Sequence, residues 1–129
     1  MGFVPVAPPS AFTEGQVDYR LARQAVLAQY RDGLLTRADV CDAHPELRRA
    51  AEQYSNPTAD PCPICEENDL CTVSYVFGPR LPSHGRCVRS PVDMERIRKR
   101  KGRFTCYVVE VCPECSWNHL RVAYVLSES

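Results

Sequence analysis

The spacing of apolar positions changes partway along the chain. Between residues 17 and 54 they recur at helical intervals. Val17, Leu21, Ala25 and Ala28 share one face, and Leu47, Ala50, Ala51 and Tyr54 form a second stripe. Beyond residue 70 the period falls to two. Cys71, Val73, Tyr75 and Phe77 alternate on one run; Phe104, Cys106 and Val108 oppose Tyr107, Val109 and Val111 on another; Leu120, Val122, Tyr124 and Leu126 alternate on a third. The pattern predicts an α+β fold, with a small N-terminal helical lobe followed by three antiparallel strands.

Punctuation residues divide these runs. Thr13 with Gln16 has capping-box spacing and predicts a helix opening on QVDYRLARQAVLAQYR, stopped by Asp32-Gly33. Thr36 with Asp39 predicts a shorter helix in TRADVCDA. His44 precedes proline and is pushed out of the helical region, so Pro45 falls at the first position of PELRRAAEQY, where its missing N–H costs nothing. Residues 13–54 therefore read as a three-helix lobe. Residues 1–12, with three prolines, read as a flexible arm, and residues 55–61, SNPTADP, as a turn-rich linker.

Length and composition narrow the class. At 129 residues the chain is one domain, or a small domain with an appendage, and 44% apolar residues is ordinary for a globular protein. No apolar run reaches the length of a membrane span. The start MGFVPVAPPSAF lacks a basic segment and a continuous apolar stretch, so it does not read as a secretory signal. Met1-Gly2 invites a myristoylation reading, but position 6 is Val rather than Ser or Thr. The expected compartment is the cytoplasm. In that compartment eight cysteines point to metal or redox chemistry rather than to disulfides.

Four of those cysteines form two C-x-x-C pairs, Cys62 and Cys65 in PCPIC and Cys112 and Cys115 in VCPEC, with 46 residues between them. Two cysteines at this spacing curl into a turn that aims both sulfurs at one ion, and proline presets that turn. Two such pairs, each beside a strand, predict one structural Zn²⁺ in a closed four-thiolate sphere. A thioredoxin-type dithiol would open a helix; here each pair leads into a strand-like run. A rubredoxin-like iron centre would use the same ligands, but the spacing and the long insert fit it poorly. The order of turn, strand, excursion, strand, turn, strand resembles the zinc ribbon, over residues 60–126, with residues 80–103 as an insert. The segments RADVCDAHPELRRAA, PCPIC and VVEVCPECSWNHL together resemble a small actinobacterial family of uncharacterised zinc-ribbon proteins. That resemblance implies the same two-part architecture and brings no activity with it. Ser116 stands where many ribbons carry Gly for a left-handed turn, so mild strain is expected there.

Charge is segregated along the chain. The insert RLPSHGRCVRSPVDMERIRKRKGR holds nine Lys/Arg against two acids, while the chain as a whole has a formal net charge of zero. Ser90, Pro91 and Asp93 predict a helix start and Gly102 its stop. Cations at a helix C-terminus complement its dipole, so part of the pattern is ordinary helix chemistry. Arg96, Arg98, Lys99, Arg100, Lys101 and Arg103 form the candidate surface for nucleic acid or an acidic partner.

Other residues have ordinary readings beside the functional ones. Trp117 reads first as a lid over the second cysteine pair, and Asn118 and His119 as donors and acceptors within the turn. Tyr75, Phe77, Tyr107 and Tyr124 read as sheet packing, with base stacking as the alternative. Cys71 and Cys106 read as core. Cys41 with His44 and His84 with Cys87 could together supply a second tetrahedral zinc site, against a default in which Cys41 is core, His44 a helix cap and Cys87 a spare thiol. No Ser–His–Asp order, paired carboxylates or phosphate-binding glycine loop is present, and four cysteines would leave zinc no open position. The expected function is a non-enzymatic zinc-ribbon module binding nucleic acid, or a machine such as RNA polymerase or the ribosome. The alternative is a protein adaptor whose helical lobe and basic insert meet acidic partners. Neither reading involves a membrane or a small-molecule substrate.

Overall fold

Why a chain with helical and strand-like halves closes around one sheet is visible in a computed structural model, which describes residues 16–126. The elements are β1 (Gln16–Asp18), α1 (Arg20–Arg31), α2 (Arg37–Val40), α3 (Pro45–Tyr54), β2 (Asn56–Pro61), β3 (Asp69–Phe77), β4 (Arg86–Cys87), α4 (Pro91–Arg98), β5 (Phe104–Val111) and β6 (Asn118–Leu126). The sheet is antiparallel in the order β1-β6-β5-β3-β2, with β4 paired to the far end of β3. The fold is thus mixed, with helices and an antiparallel sheet.

The three long strands β3, β5 and β6 lie where period-two alternation predicts them. The sheet has six strands rather than three, because the exposed edges recruit short segments that local composition did not mark. Asn56–Pro61, expected as a linker, pairs with β3. Its prolines sit on an edge strand with a register shift between Pro57 and Pro61, and the Thr58 hydroxyl donates to the Leu70 carbonyl at 2.7 Å. Gln16–Asp18, expected to open the first helix, instead pairs with Val122–Tyr124 of β6. The Asp18 carboxylate then accepts the Arg20 N–H at 2.8 Å, and the helix begins there. Thr13 lies outside the described residues, as does the expected arm at 1–12.

Helix starts follow the side chains that cap them. Thr36 and Asp39 form a reciprocal capping box on α2. His44 Nδ1 accepts the Glu46 N–H at 3.1 Å, with Pro45 at the first position of α3. Ser90 caps α4, again ahead of a proline. That helix ends at Arg98, before the expected stop. Gly102, at φ +125°, serves instead to turn the chain into β5.

The apolar face predicted for α1 is the wrong one. Leu21 is 76% exposed and Val17 51%, and Ala25 and Ala28 are exposed too. Leu27 is buried instead, with Val26 and Tyr30 packed beside it. The helix is rotated because Arg23 is drawn inward by the buried carboxylate of Glu110.

Helices α3 and α4 cover opposite faces of the sheet. Ala50 and Ala51 of α3 pack on Cys71, Val73 and Val111. Met94 and Ile97 of α4 pack on Val76, Phe104, Cys106, Val108, Val122 and Leu126, the alternate set of positions. Cys71 and Cys106 are therefore core, on different faces. Asp93 anchors α4. Its carboxylate meets Arg86 Nη2 of β4 at 2.6 Å and accepts the Arg89 N–H at 3.1 Å. Burial works to raise its pKa, but these contacts outweigh it and hold the carboxyl below the usual value. Asp93→Ala removes the anchor and leaves Arg86 without its acid. A loss of roughly 2–4 kcal/mol in denaturant unfolding is expected, with the bound-metal content of the protein unchanged.

Candidate metal centre

Two turns of the same design meet at one end of the sheet. In the first, the Cys62 N–H donates to the Asn68 carbonyl at 2.8 Å and the Glu66 N–H to the Cys62 carbonyl at 3.0 Å. In the second, Cys112 donates to Trp117 at 2.9 Å and Ser116 to Cys112 at 3.0 Å. The residue four beyond each first cysteine is left-handed: Glu66 at φ +57° and Ser116 at φ +76°. The turn expected at Ser116 is present, and its twin at Glu66 had no glycine-like signal to announce it.

The turns bring four sulfurs together. The Sγ atoms of Cys62, Cys65, Cys112 and Cys115 all lie within 4.8 Å of one another. Cys62 and Cys115 are 3.6 Å apart, and Cys65 and Cys112 3.7 Å. A tetrahedron with metal–sulfur bonds of about 2.3 Å has edges of about 3.8 Å, so the spacing suits a single tetrahedral ion. Backbone N–H groups already point at the sulfurs: Ile64 to Cys62 at 3.4 Å and Cys115 to Cys112 at 3.5 Å.

The thiols do not share charge evenly. Burial pushes Cys65 upward, yet the Glu67 N–H and the neighbouring Cys112 and Cys62 sulfurs bring it down to about 7. Cys112 is pushed up by burial, and Cys115 is raised strongly by burial and by the sulfurs of Cys62, Cys41 and Cys112. Crowded thiolates repel, and a divalent cation at their centre removes that conflict. The donor set therefore fits a metal ion.

The centre is roofed by the helices. Leu27 and Val40 pack with Ile64, Leu70 and Trp117 against Cys62 and Cys112. Trp117, 1% exposed, is the lid expected of it; its indole N–H donates to Glu110 Oε2 at 2.8 Å. His119 stacks on the indole at 6.0 Å, and Asn118 donates to Asp42 and to the Ser116 carbonyl. Glu110 was missed from the sequence. It is 1% exposed and held by Arg23 Nε at 2.7 Å and Arg121 Nε at 3.3 Å, with Arg121 reaching on to Asp60 at 3.1 Å. Its signal was available, because alternation through Phe104, Cys106 and Val108 carries Glu110 onto the same inward face.

The remaining candidates are placed separately. Among the described residues, no second group of ligands forms from Cys41, His44, His84 and Cys87. Cys41 lies against Cys115, His44 caps α3, Cys87 packs beside Tyr75, and His84 lines a groove over Phe77. Proximity in sequence supplied half-sites, but the fold does not bring the two halves together. Arg96, Arg98, Lys99, Arg100, Lys101 and Arg103 are all exposed at the end of α4 and in the segment leading to β5. Tyr75, Phe77 and Tyr107 lie on the sheet face that α4 does not cover. Phe77 and Tyr107 meet edge to face at 5.4 Å.

Two outcomes test the centre. Stripping the metal with a chelator, or Cys112→Ser, should unfold the sheet end, since metal binding supplies on the order of 10 kcal/mol in small metal-built folds. Unchanged circular dichroism and melting in metal-free protein would refute a structural ion. Ser116→Gly relieves a left-handed side chain and should raise stability by about 0.5–1 kcal/mol in thermal unfolding.

Among the described residues no helix is long and apolar enough to cross a membrane. No solved structure matches the chain. It is 41% identical over 110 residues to "Uncharacterized protein Rv0049" of Mycobacterium tuberculosis (strain ATCC 25618 / H37Rv), covering 85% of this chain and 80% of the relative. The same figures hold for "Uncharacterized protein Mb0050" of Mycobacterium bovis. These relatives agree with the actinobacterial resemblance. Residues 12–129 match the model of a "Family of unknown function (DUF5318)", and the chain belongs to that family.

Proposed function

We propose that this protein is a non-enzymatic binding module, built on a structural Zn²⁺ at Cys62, Cys65, Cys112 and Cys115, that engages nucleic acid or a nucleic-acid machine through its basic segment. The carrying observation is the state of six cations, Arg96, Arg98, Lys99, Arg100, Lys101 and Arg103. All are exposed, and among the described residues only Arg98 has an acidic partner, Glu95 at 3.5 Å. Such cations attract phosphate at long range.

Two further features support the reading. An open groove of about 530 Å³ lies on the sheet, lined by Tyr75, Phe77, Tyr107, Val109, Leu120 and His84 among others. The rings of this groove lie on the sheet face that α4 leaves open and offer surfaces on which bases could stack. The larger cleft beside Cys62, about 950 Å³, carries Arg20, Arg23, Arg31 and Arg121 against Asp18, Asp60, Glu66 and Glu110. Its charges balance, so the basic segment rather than the cleft points to an anionic partner. The same four thiolates would hold iron; the spacing of the two pairs and the long basic insert favour zinc, and colour separates them, because an iron–thiolate protein is red.

With about four phosphates contacted, log affinity should fall against log salt with a slope of roughly −3 to −4. Neutralising Arg98, Arg100 and Arg103 should weaken binding to every sequence alike. A charge-neutral variant that binds nucleic acid as well as the wild type would sink the proposal. Partners captured at low salt that survive nuclease treatment would favour the adaptor reading instead.

A further inference from the structure

A fifth thiol lies against the four. Cys41, at the C-terminal cap of α2, has its Sγ 3.7 Å from the Sγ of Cys115, with the Cys41 thiol as donor. That is the spacing found between the sulfurs of the cluster itself, 3.6 and 3.7 Å. The position is built rather than incidental. The Ala43 N–H donates to the Ser116 carbonyl at 3.1 Å, and Asn118 Nδ2 donates to Asp42 Oδ1 at 3.0 Å. Val40 is buried under the same roof as Cys62 and Cys112. Residues 40–43 are thereby stitched to the second turn on both sides of the thiol. The contact is made at a corner of the cluster that is only partly buried, since Cys115, like Cys65, is half-covered while Cys62 and Cys112 are buried.

We propose that Cys41 is a reserve ligand, able to take the coordination position of Cys115. This rests on the reading that the four-cysteine cluster holds a metal ion. The centre then has two alternative thiolate sets: Cys62, Cys65 and Cys112 with either Cys115 or Cys41. Cys41 stands outside the group of mutually close sulfurs, so it enters only as Cys115 leaves. In the exchange the Cys41 thiol gives its proton to the Cys115 sulfur along their hydrogen bond. The metal–Cys115 bond breaks and the metal–Cys41 bond forms. Four thiolates and one thiol are present before and after, so the net charge is unchanged and no oxidant is needed. Such an exchange loosens the ion's sphere, as one thiolate gives way to the other, at a partly exposed corner and without unfolding the sheet, giving an incoming thiol ligand a route to the metal.

The test is metal content by elemental analysis and thermal unfolding of the full chain, for Cys115→Ala, Cys65→Ala, Cys41→Ala and the Cys115→Ala/Cys41→Ala double variant. Cobalt-loaded samples report the number of sulfurs bound. Cys115→Ala is expected to keep one metal per chain, cooperative melting and the four-sulfur cobalt spectrum. The double variant and Cys65→Ala are expected to lose the metal, and Cys41→Ala to keep it. If Cys115→Ala loses its metal as fully as Cys65→Ala, or keeps it with a three-sulfur spectrum, Cys41 is only a hydrogen-bond donor and the proposal is overturned. Wild-type protein that binds no metal would instead overturn the reading of the cluster, a result distinguishable from both.

Discussion

The rest of the structure depends on four sulfurs being held within one ion's reach. Each turn follows a strand of the sheet: the edge strand β2 runs into Cys62, and the central strand β5 runs into Cys112. Once the sulfurs are fixed, β3 must run antiparallel to β5 from Cys71 opposite Val111, and β6 must leave the second turn opposite the end of β5. Clustered thiols without a cation carry a charge conflict, visible in the opposed shifts of Cys65 and Cys115. Four sulfurs this close together are a donor set that a soft divalent ion would suit. The sheet has apolar cores on both faces, and a metal at the cysteine cluster would add a clasp between its turns.

A buried carboxylate forms the second tie. Glu110 sits one position before the end of β5, receives the indole of Trp117 from the lid and the guanidinium of Arg23 from α1, and shares Arg121 with Asp60 of β2. One side chain thus joins helix, lid and the neighbouring strand β6, whose Arg121 reaches on to the edge strand β2. A buried charge is tolerable only when every lone pair has a donor, and that demand rotates α1 so that an arginine faces inward while Leu21 faces water. The β-bulge between Val108 and Val109 belongs to the same arrangement, since the extra residue it leaves in β6 is Arg121.

Metal and charge are kept at separate places. The cysteine turns and their helical roof occupy one end of the sheet, while the exposed cations follow α4 toward the start of β5 at the other. Met94 and Ile97 hold α4 on the sheet, and Arg86 with Asp93 fixes its beginning, so the basic residues of its last turn project from a rigid base.

The sequence by itself determined the elements whose signals are local or repeated. Two C-x-x-C turns announced the four-cysteine cluster, period-two alternation announced β3, β5 and β6, and proline after a capping residue announced α3 and α4. Capping and turn chemistry act within a few residues and can be read directly. What only the tertiary structure decided depends on partners distant in the chain. Gln16–Asp18 became a strand because β6 had an open edge, and SNPTADP became β2 because β3 did. The inward face of α1 was chosen by Glu110, 87 residues beyond Arg23. Cys41 was brought to Cys115 from 74 residues away, while His44, His84 and Cys87 were left elsewhere. Hydrophobic period measures what a segment could bury; which face it buries, and against what, is set by the hydrogen-bonding and charge demands of atoms the folded chain brings beside it.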